Sequence, residues 1–391
     1  MQLRIATHDD QRMAVIQEAA RQFRKDYPGV TLVLEYVPDR KTMRRQAAEG
    51  NGADIVEWEG ANMGQCLESG LLSDLSDLIA RDRIDMGDYY PSVHEAVHSD
   101  GRIGAIPVMA DTLGVFYNRD HFEQAGLSNP RENWTWEEFV AAAERLTLRD
   151  EQGDISRYGV FASFGYMIYV EPVVWNCGGA FLSEDGTTLD GFLNSEATIE
   201  GVRRYLRLID ERLSPRMEVS RDSWIDCFIH GKMSMYIASN GTIGPMKSEQ
   251  RAKFGVAGFP RDPGKPNLFE VYGYGISTSC RERELAWAFL RKLTAPESEI
   301  GKLWSVLKLA VSQTAAEQSG QAADPLYAPF LRELRSARLS AYQWPNMIPA
   351  FHYRDTFRTM AHAEDVEQAL QAAVRRTPTL PAFDPVRFEW W

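Results

Sequence analysis

The sequence predicts an α/β fold of two domains built on a largely parallel sheet, and three observations carry that prediction. The first hundred residues alternate β-rich and helix-patterned segments. The chain has 391 residues, 44% of them apolar, which suits two ordinary cores at about 100–200 residues per domain. No apolar run approaches the roughly 18 residues that a membrane span needs.

Leu3 to Thr7 reads as a strand, with His8-Asp9-Asp10 as the turn after it. Gln11 to Asp26 then places Met13, Ile16, Ala20 and Phe23 at helical spacing. Pro28-Gly29 breaks the chain before a second strand, Val30 to Tyr36; a helix over about Arg40 to Glu49 leads into a short strand, Asp54 to Trp58. Such βαβ units imply parallel strands covered by helices on both faces. In open α/β sheets, ligands bind beyond the carboxyl ends of the strands. Those ends here present His8, Asp9 and Asp10 in one turn and Trp58-Glu59-Gly60-Ala61-Asn62 in another. Both turns are rich in hydrogen-bonding groups; a merely solvated turn is the alternative for the first.

The stretch HEAVHSDG, from His94 to Gly101, has the form of a zinc-protease signature. On a helix, histidines four apart share a face and can hold zinc while the glutamate activates its water. A catalytic zinc needs a third protein ligand, and the position where the extended signature has a histidine is Gly104. Ser99-Asp100-Gly101 also closes the helix directly after His98. The competing expectation is a short amphipathic helix with Val93 and Val97 inward and His94 and His98 solvated.

Beyond Gly101 the pattern gives a strand from Ile103 to Val108 and another from Leu113 to Tyr117. Met109-Ala110-Asp111-Thr112 between them is the expected crossover into a second, mainly helical half. Its helices are read over Trp134 to Leu146, Ala197 to Glu211 and Trp224 to His230. Phe254 to Ala257 reads as a strand, Pro260 to Pro266 as a loop, Glu270 to Ser277 as a strand and Glu282 to Leu293 as a helix.

A net charge of −12 argues against nucleic acid as a partner, because phosphate binding wants a basic face. Cys66, Cys177, Cys227 and Cys280 are far apart and form no C-x-x-C metal ribbon. Met1 to Ile5 enters a strand pattern almost at once, so an exported form implies a leader already removed.

The order of motifs resembles the extracellular solute-binding proteins of ABC sugar importers, the family that includes the maltodextrin-binding proteins. Gly52-Ala53-Asp54-Ile55-Val56 and Ser69-Gly70-Leu71-Leu72-Ser73-Asp74-Leu75 are similar to that family's early strand and its "SGLLxDL" helix end. Asp100 to Pro107 is similar to "DGKxYGxP", Tyr117 to Phe122 to "YNKDLF", and Thr135 to Phe139 to "TWEEF". Phe228 to Met235 resembles "FxxGKxAM"; Phe254-Gly255-Val256-Ala257 with Pro260, and Ala286 to Leu290, complete the series. Each motif is weak alone, but the series in order spans essentially the whole chain.

The resemblance implies a two-lobed periplasmic-binding-protein fold, each lobe a mostly parallel sheet flanked by helices, with the ligand cleft between lobes. The lobes would be 1–110 completed by 270–312, and 111–269 completed by 313–391. It implies a non-catalytic monomer outside the cytoplasm, periplasmic or lipid-anchored, that closes on a carbohydrate by a hinge and delivers it to membrane permease subunits, with no cofactor and no metal. Trp58 falls where maltodextrin-binding members carry a ligand-stacking tryptophan, with Glu59 and Asn62 beside it. Asp111 and Thr112 fall on the crossover. Tyr166, Tyr169 and Trp175 precede an Asn176-Cys177-Gly178-Gly179 run similar to the family's "xxGG". Asn240-Gly241 resembles another contact loop, and Tyr272-Gly273-Tyr274 lies on the returning crossover, where small residues let backbone approach ligand. Trp344 and Tyr353 are candidates for a lid. The competing functions are a glycoside hydrolase using Asp9, Glu59 and Asp111, and a zinc protease using His94, Glu95 and His98.

Overall fold

The computed structural model describes residues 1–38, 49–60, 62–163, 167–216, 221–341 and 365–380, with the single residues 42, 46 and 363; for 221–224 only the backbone is described. Ala61, Tyr166, Trp344 and Tyr353 lie outside the described residues.

The chain opens with β1 (Gln2–Thr7), helix α1 (Asp10–Asp26) and β2 (Thr31–Tyr36), followed by β3 (Ile55–Trp58). Helix α1 forms because Val15, Ile16, Ala19, Ala20 and Phe23 make one buried stripe, while Arg24 and Lys25 complement the dipole in its last turn. Asp9 is its N-cap, accepting the Arg12 amide at 2.9 Å. β2, β1 and β3 pair in parallel, as the alternation predicts.

A helix over Pro91–Ala96 leads into a small hairpin, β4 (His98–Ser99) and β5 (Arg102–Ile103). Next comes β6 (Ile106–Asn118), a thirteen-residue strand buried throughout. The two strands expected on either side of 109–112 are therefore one continuous strand. The polar residues that suggested a break find partners from far along the chain: Asp111 pairs with Lys308, and the Thr112 hydroxyl donates to the Leu268 carbonyl.

The second half adds β7 (Leu148–Arg149), β8 (Ile155–Phe161), β9 (Met233–Ser239) and β10 (Phe254–Gly258). Its helices include Trp136–Leu146, started by a Thr135/Glu138 capping box, and Glu196–Asp210. Then β11 (Leu268–Ile276) returns to the first half, and β12 (Arg338–Leu339) pairs with its start. The sheet order is β2-β1-β3-β11-β6-β9-β8-β7, with β10 on β6. β8 and β9 are parallel, whereas β6 and β11 run antiparallel to each other and to their outer neighbours β9 and β3. The sheet is thus mixed at its centre, because β6 and β11 cross between the halves in opposite directions.

β6 pairs with β11 from Ile106 to Thr112 and with β9 and β10 from Leu113 onward. Two apolar cores flank this change of partner. Ile5, Val56, Ile106 and Leu290 belong to one, Leu113, Phe139, Val160 and Tyr205 to the other. At the change itself, Asn240 Oδ1 accepts the Thr112 amide at 2.9 Å, and Asn267 Nδ2 donates to the Leu113 carbonyl at 2.8 Å and the Thr112 hydroxyl at 3.2 Å. All three side chains are buried.

Candidate functional site

A cavity of about 460 Å³ opens where the two halves face each other. The first half contributes Gly60, Asn62 and Gly64 from the segment after β3, then Glu95, His98 and Ser99. Across from them stand Glu171 and Trp175 on the helix Glu171–Asn176, Phe181 to Glu184, and the segment Arg338–Ala341. A larger cavity of about 800 Å³ is lined by Tyr27, Arg83, Trp287 and Lys292, all from the first half. The smaller cavity is the better candidate, because ligand sites favour the junction between domains.

Trp175 is 5% exposed, and the Arg338 guanidinium lies 5.3 Å from its ring centroid. Beside it Glu171 is buried, accepting the Ser340 hydroxyl and the Ala341 amide, the latter at 2.9 Å. Burial raises the Glu171 carboxyl to about 7, against those two hydrogen bonds and the charge of Arg338. Asn62 caps the helix Met63–Glu68 by accepting the Gln65 amide at 3.0 Å.

The strand ends hold a second polar assembly. Arg12, from the first turn of α1, pairs with both Glu57 and Glu59, and all three are buried. Burial lowers the Arg12 pKa, but the charges of Glu59 and Glu57 reverse this and leave it above its usual value. His8 Nδ1 lies 3.2 Å from Glu57 and Nε2 3.6 Å from Glu59; the Thr7 hydroxyl donates to Glu57 at 3.0 Å. Arg12 also lies 4.5 Å from the Tyr272 ring centroid, and Lys308, paired with Asp111, lies 5.1 Å from the same centroid. Burial, and then Glu270 and Asp111, push the Tyr272 hydroxyl well above its ordinary pKa. His8, Glu57 and Glu59 are within 4.8 Å of one another, close enough for a metal ion. Arg12 already bridges the two carboxylates there and would oppose a cation.

The residues expected at the site divide between these places. Asn62 and Trp175 line the cavity. His8, Glu59, Asp111 and Tyr272 gather in the charged assembly, with Arg12, Glu57 and Lys308, which sequence reading did not find. A glutamate inside the four-residue buried strand β3 was the available signal, since a buried charge implies a partner. Several placements differ from expectation. Trp58 is 1% exposed within the first core, so it offers no face to a ligand here. Asp9 is a helix cap, and Asp10 is an exposed first residue of α1. Asn240 and Thr112 hold the crossover, with Gly241 in the short 3-10 turn that follows. Tyr169 is half-buried in another such turn, packed on the second core. Gly273 admits backbone rather than ligand: a Cβ there would lie 2.5 Å from the Ile106 carbonyl oxygen. Tyr274 is buried beside Trp304, ring centroids 5.6 Å apart.

The HEAVH segment departs from a zinc-protease helix. Its helix ends at Ala96, Val93 and Val97 are buried, and His98 belongs to β4. The two imidazoles are half-buried, not solvated, with centroids 4.0 Å apart, and His98 Nδ1 faces the His94 carbonyl oxygen. Two tilted rings in contact, one on a helix end and one on a strand, do not form the continuous platform that the motif uses.

Residues 7–300 match the family model described as bacterial extracellular solute-binding protein. A maltotriose-binding protein of Pyrococcus abyssi is 24% identical over 299 residues, covering 74% of this chain and 62% of that protein. A galactooligosaccharide-binding protein of Bacillus subtilis is 21% identical over 294 residues, covering 72% and 66%. Among solved structures, an extracellular solute-binding protein of Staphylococcus aureus in complex with maltose superposes with a TM-score of 0.76 at 18% identity, covering 96% of each chain.

Proposed function

We propose, for a chain that belongs to the family of bacterial extracellular solute-binding proteins, that it captures a mono- or oligosaccharide between two hinged lobes and delivers it intact to an ABC importer. The cavity shared by the two halves, beside a junction of two antiparallel strands, is the observation that carries this reading. A hinge at such a junction can close both walls on a ligand. The lobes are read as 1–110 with 270–312, and 111–269 with 313–391. The protein is taken to work outside the cytoplasm as a monomer, with the importer's permease subunits as its membrane partner.

The cavity has what sugar recognition uses. Aromatic faces stack on C–H surfaces, and planar polar groups take hydroxyls in pairs; Trp175, Asn62 and Arg338 supply such groups. Maltotriose and galactooligosaccharide, in the names of the two relatives, favour the same ligand class.

A glycosidase needs two carboxyl groups about 5–9.5 Å apart across the sugar. The carboxylates expected for that role are engaged: Asp9 caps α1, Glu59 pairs with Arg12, and Asp111 pairs with Lys308. Incubation with labelled oligosaccharides tests the proposal. Sugar recovered bound and intact supports it, and released products would overturn it. Thermal-shift screening then identifies the ligand, because binding only to the folded state raises the melting temperature.

A further inference from the structure

We propose that the cleft accepts neutral and amino-substituted sugars and discriminates against anionic ones, an inference that rests on the carbohydrate-binding reading above. Two exposed carboxylates line the cavity, Glu95 and Glu184, beside the buried Glu171, whose carboxyl is raised to about 7; among the described lining residues Arg338 carries the one guanidinium. Arg338 is already committed to the Trp175 ring and lies in the field of Glu171.

Among the described residues, the nearby helix end and histidines offer an anion little. A helix N-terminus can bind phosphate or carboxylate through its free amides, but Asn62 occupies that of the helix Met63–Glu68 with its own side chain. The histidines do not supply a compensating charge pair: burial and the neighbouring His98 both lower the His94 pKa. His98 turns Nδ1 to the His94 carbonyl and keeps only Nε2 for the cavity.

Glu95 and Glu184 are exposed and belong to opposite walls, one from each half. An ammonium group on a sugar held between the walls gains from both, and closure of the cleft strengthens the gain as water leaves. A carboxylate or phosphate in the same place meets like charge, and among the described residues Arg338, already over the Trp175 ring, is the one guanidinium there to offset it. The chain's net charge of −12 adds a long-range field of the same sign.

The test is calorimetric titration with glucose mono-, di- and trisaccharides, each beside its 2-amino and its 6-carboxylate derivative. The expected result is that amino and neutral forms bind about tenfold or more tightly than the carboxylate at low salt, with the gap narrowing as salt screens the charges. The double variant Glu95→Gln, Glu184→Gln should compress the series. A carboxylate form bound as tightly as its neutral parent would overturn the proposal, as would an order unchanged in the double variant. Neutral sugar bound without charge discrimination leaves the carbohydrate reading standing and removes only this one. Failure of every sugar to bind removes both.

Discussion

The guanidinium of Arg12 stands 4.5 Å from the centroid of the Tyr272 ring, bringing the first turn of α1 onto the strand that returns from the second half. The same guanidinium holds Glu57 and Glu59, and the same ring lies 5.1 Å from Lys308 with its partner Asp111. Charge at the strand ends is therefore neutralised by residues spread over the whole first half.

Replacing Arg12 by Met should destabilise the fold by about 3–5 kcal/mol, because two buried carboxylates lose their shared partner. Adding Glu57→Gln and Glu59→Gln should recover much of the loss. Urea unfolding of the single and triple variants measures both. A single variant as stable as the parent would mean that water reaches the assembly.

Trp58→Ala should cost about 3–5 kcal/mol of stability, as truncation of a buried aromatic does. The prediction is a lowered urea midpoint, with affinity preserved in the fraction that remains folded. Normal stability with lost affinity would put Trp58 back in the ligand site.

Glu171 should make stability depend on pH. Its folded pKa is about 7 and its ordinary value 4.5, so between them the folded state keeps a proton that the unfolded chain has released. Stability is then fully present below the lower value and falls as pH rises towards the upper one, by on the order of 3 kcal/mol. Thermal unfolding from pH 4.5 to 8 should show this decline, and Glu171→Gln should flatten it. An equal slope in the variant would assign the effect elsewhere.

Asn240→Ala leaves the buried Thr112 amide unpaired, at an expected cost of about 1–3 kcal/mol. Because that bond lies where β6 changes partners, the variant should also shift the balance of open and closed forms. Small-angle scattering with and without a saturating sugar should show contraction in the parent and a different free-state radius in the variant. Identical curves for the free proteins would leave Asn240 a purely local role.

His98→Ala should weaken sugar binding, since His98 lines the cavity, whereas His94→Ala should leave binding unchanged. Metal analysis of untagged protein checks the zinc-protease reading of this segment. Stoichiometric zinc, lost when His94→Ala and His98→Ala are combined, would restore the hydrolase.

The order of strands was legible because β1, α1 and β2 carry their periodicities locally. The break expected at 109–112 was not real, since local polarity could not reveal that Lys308 and Leu268 meet Asp111 and Thr112 from far along the chain. Site residues divided in the same way. Asn62 and Trp175 were placed by motif order and line the cavity. Trp58 was placed by the same means, but the burial of its ring depends on packing across the whole first core. Arg12 and Lys308 went unseen because an isolated basic residue in a helical pattern looks solvated until its buried partner is known.

β6 is a single spine that runs through both halves of the one large sheet. Cutting the chain there would leave the nine-residue, largely apolar β11 in one fragment without β3 and the first part of β6, an unpaired edge of the kind that recruits another copy of itself. Whatever motion the two halves make, neither is a separable module. Grafting one half onto a relative's other half would require matching both crossing strands residue for residue.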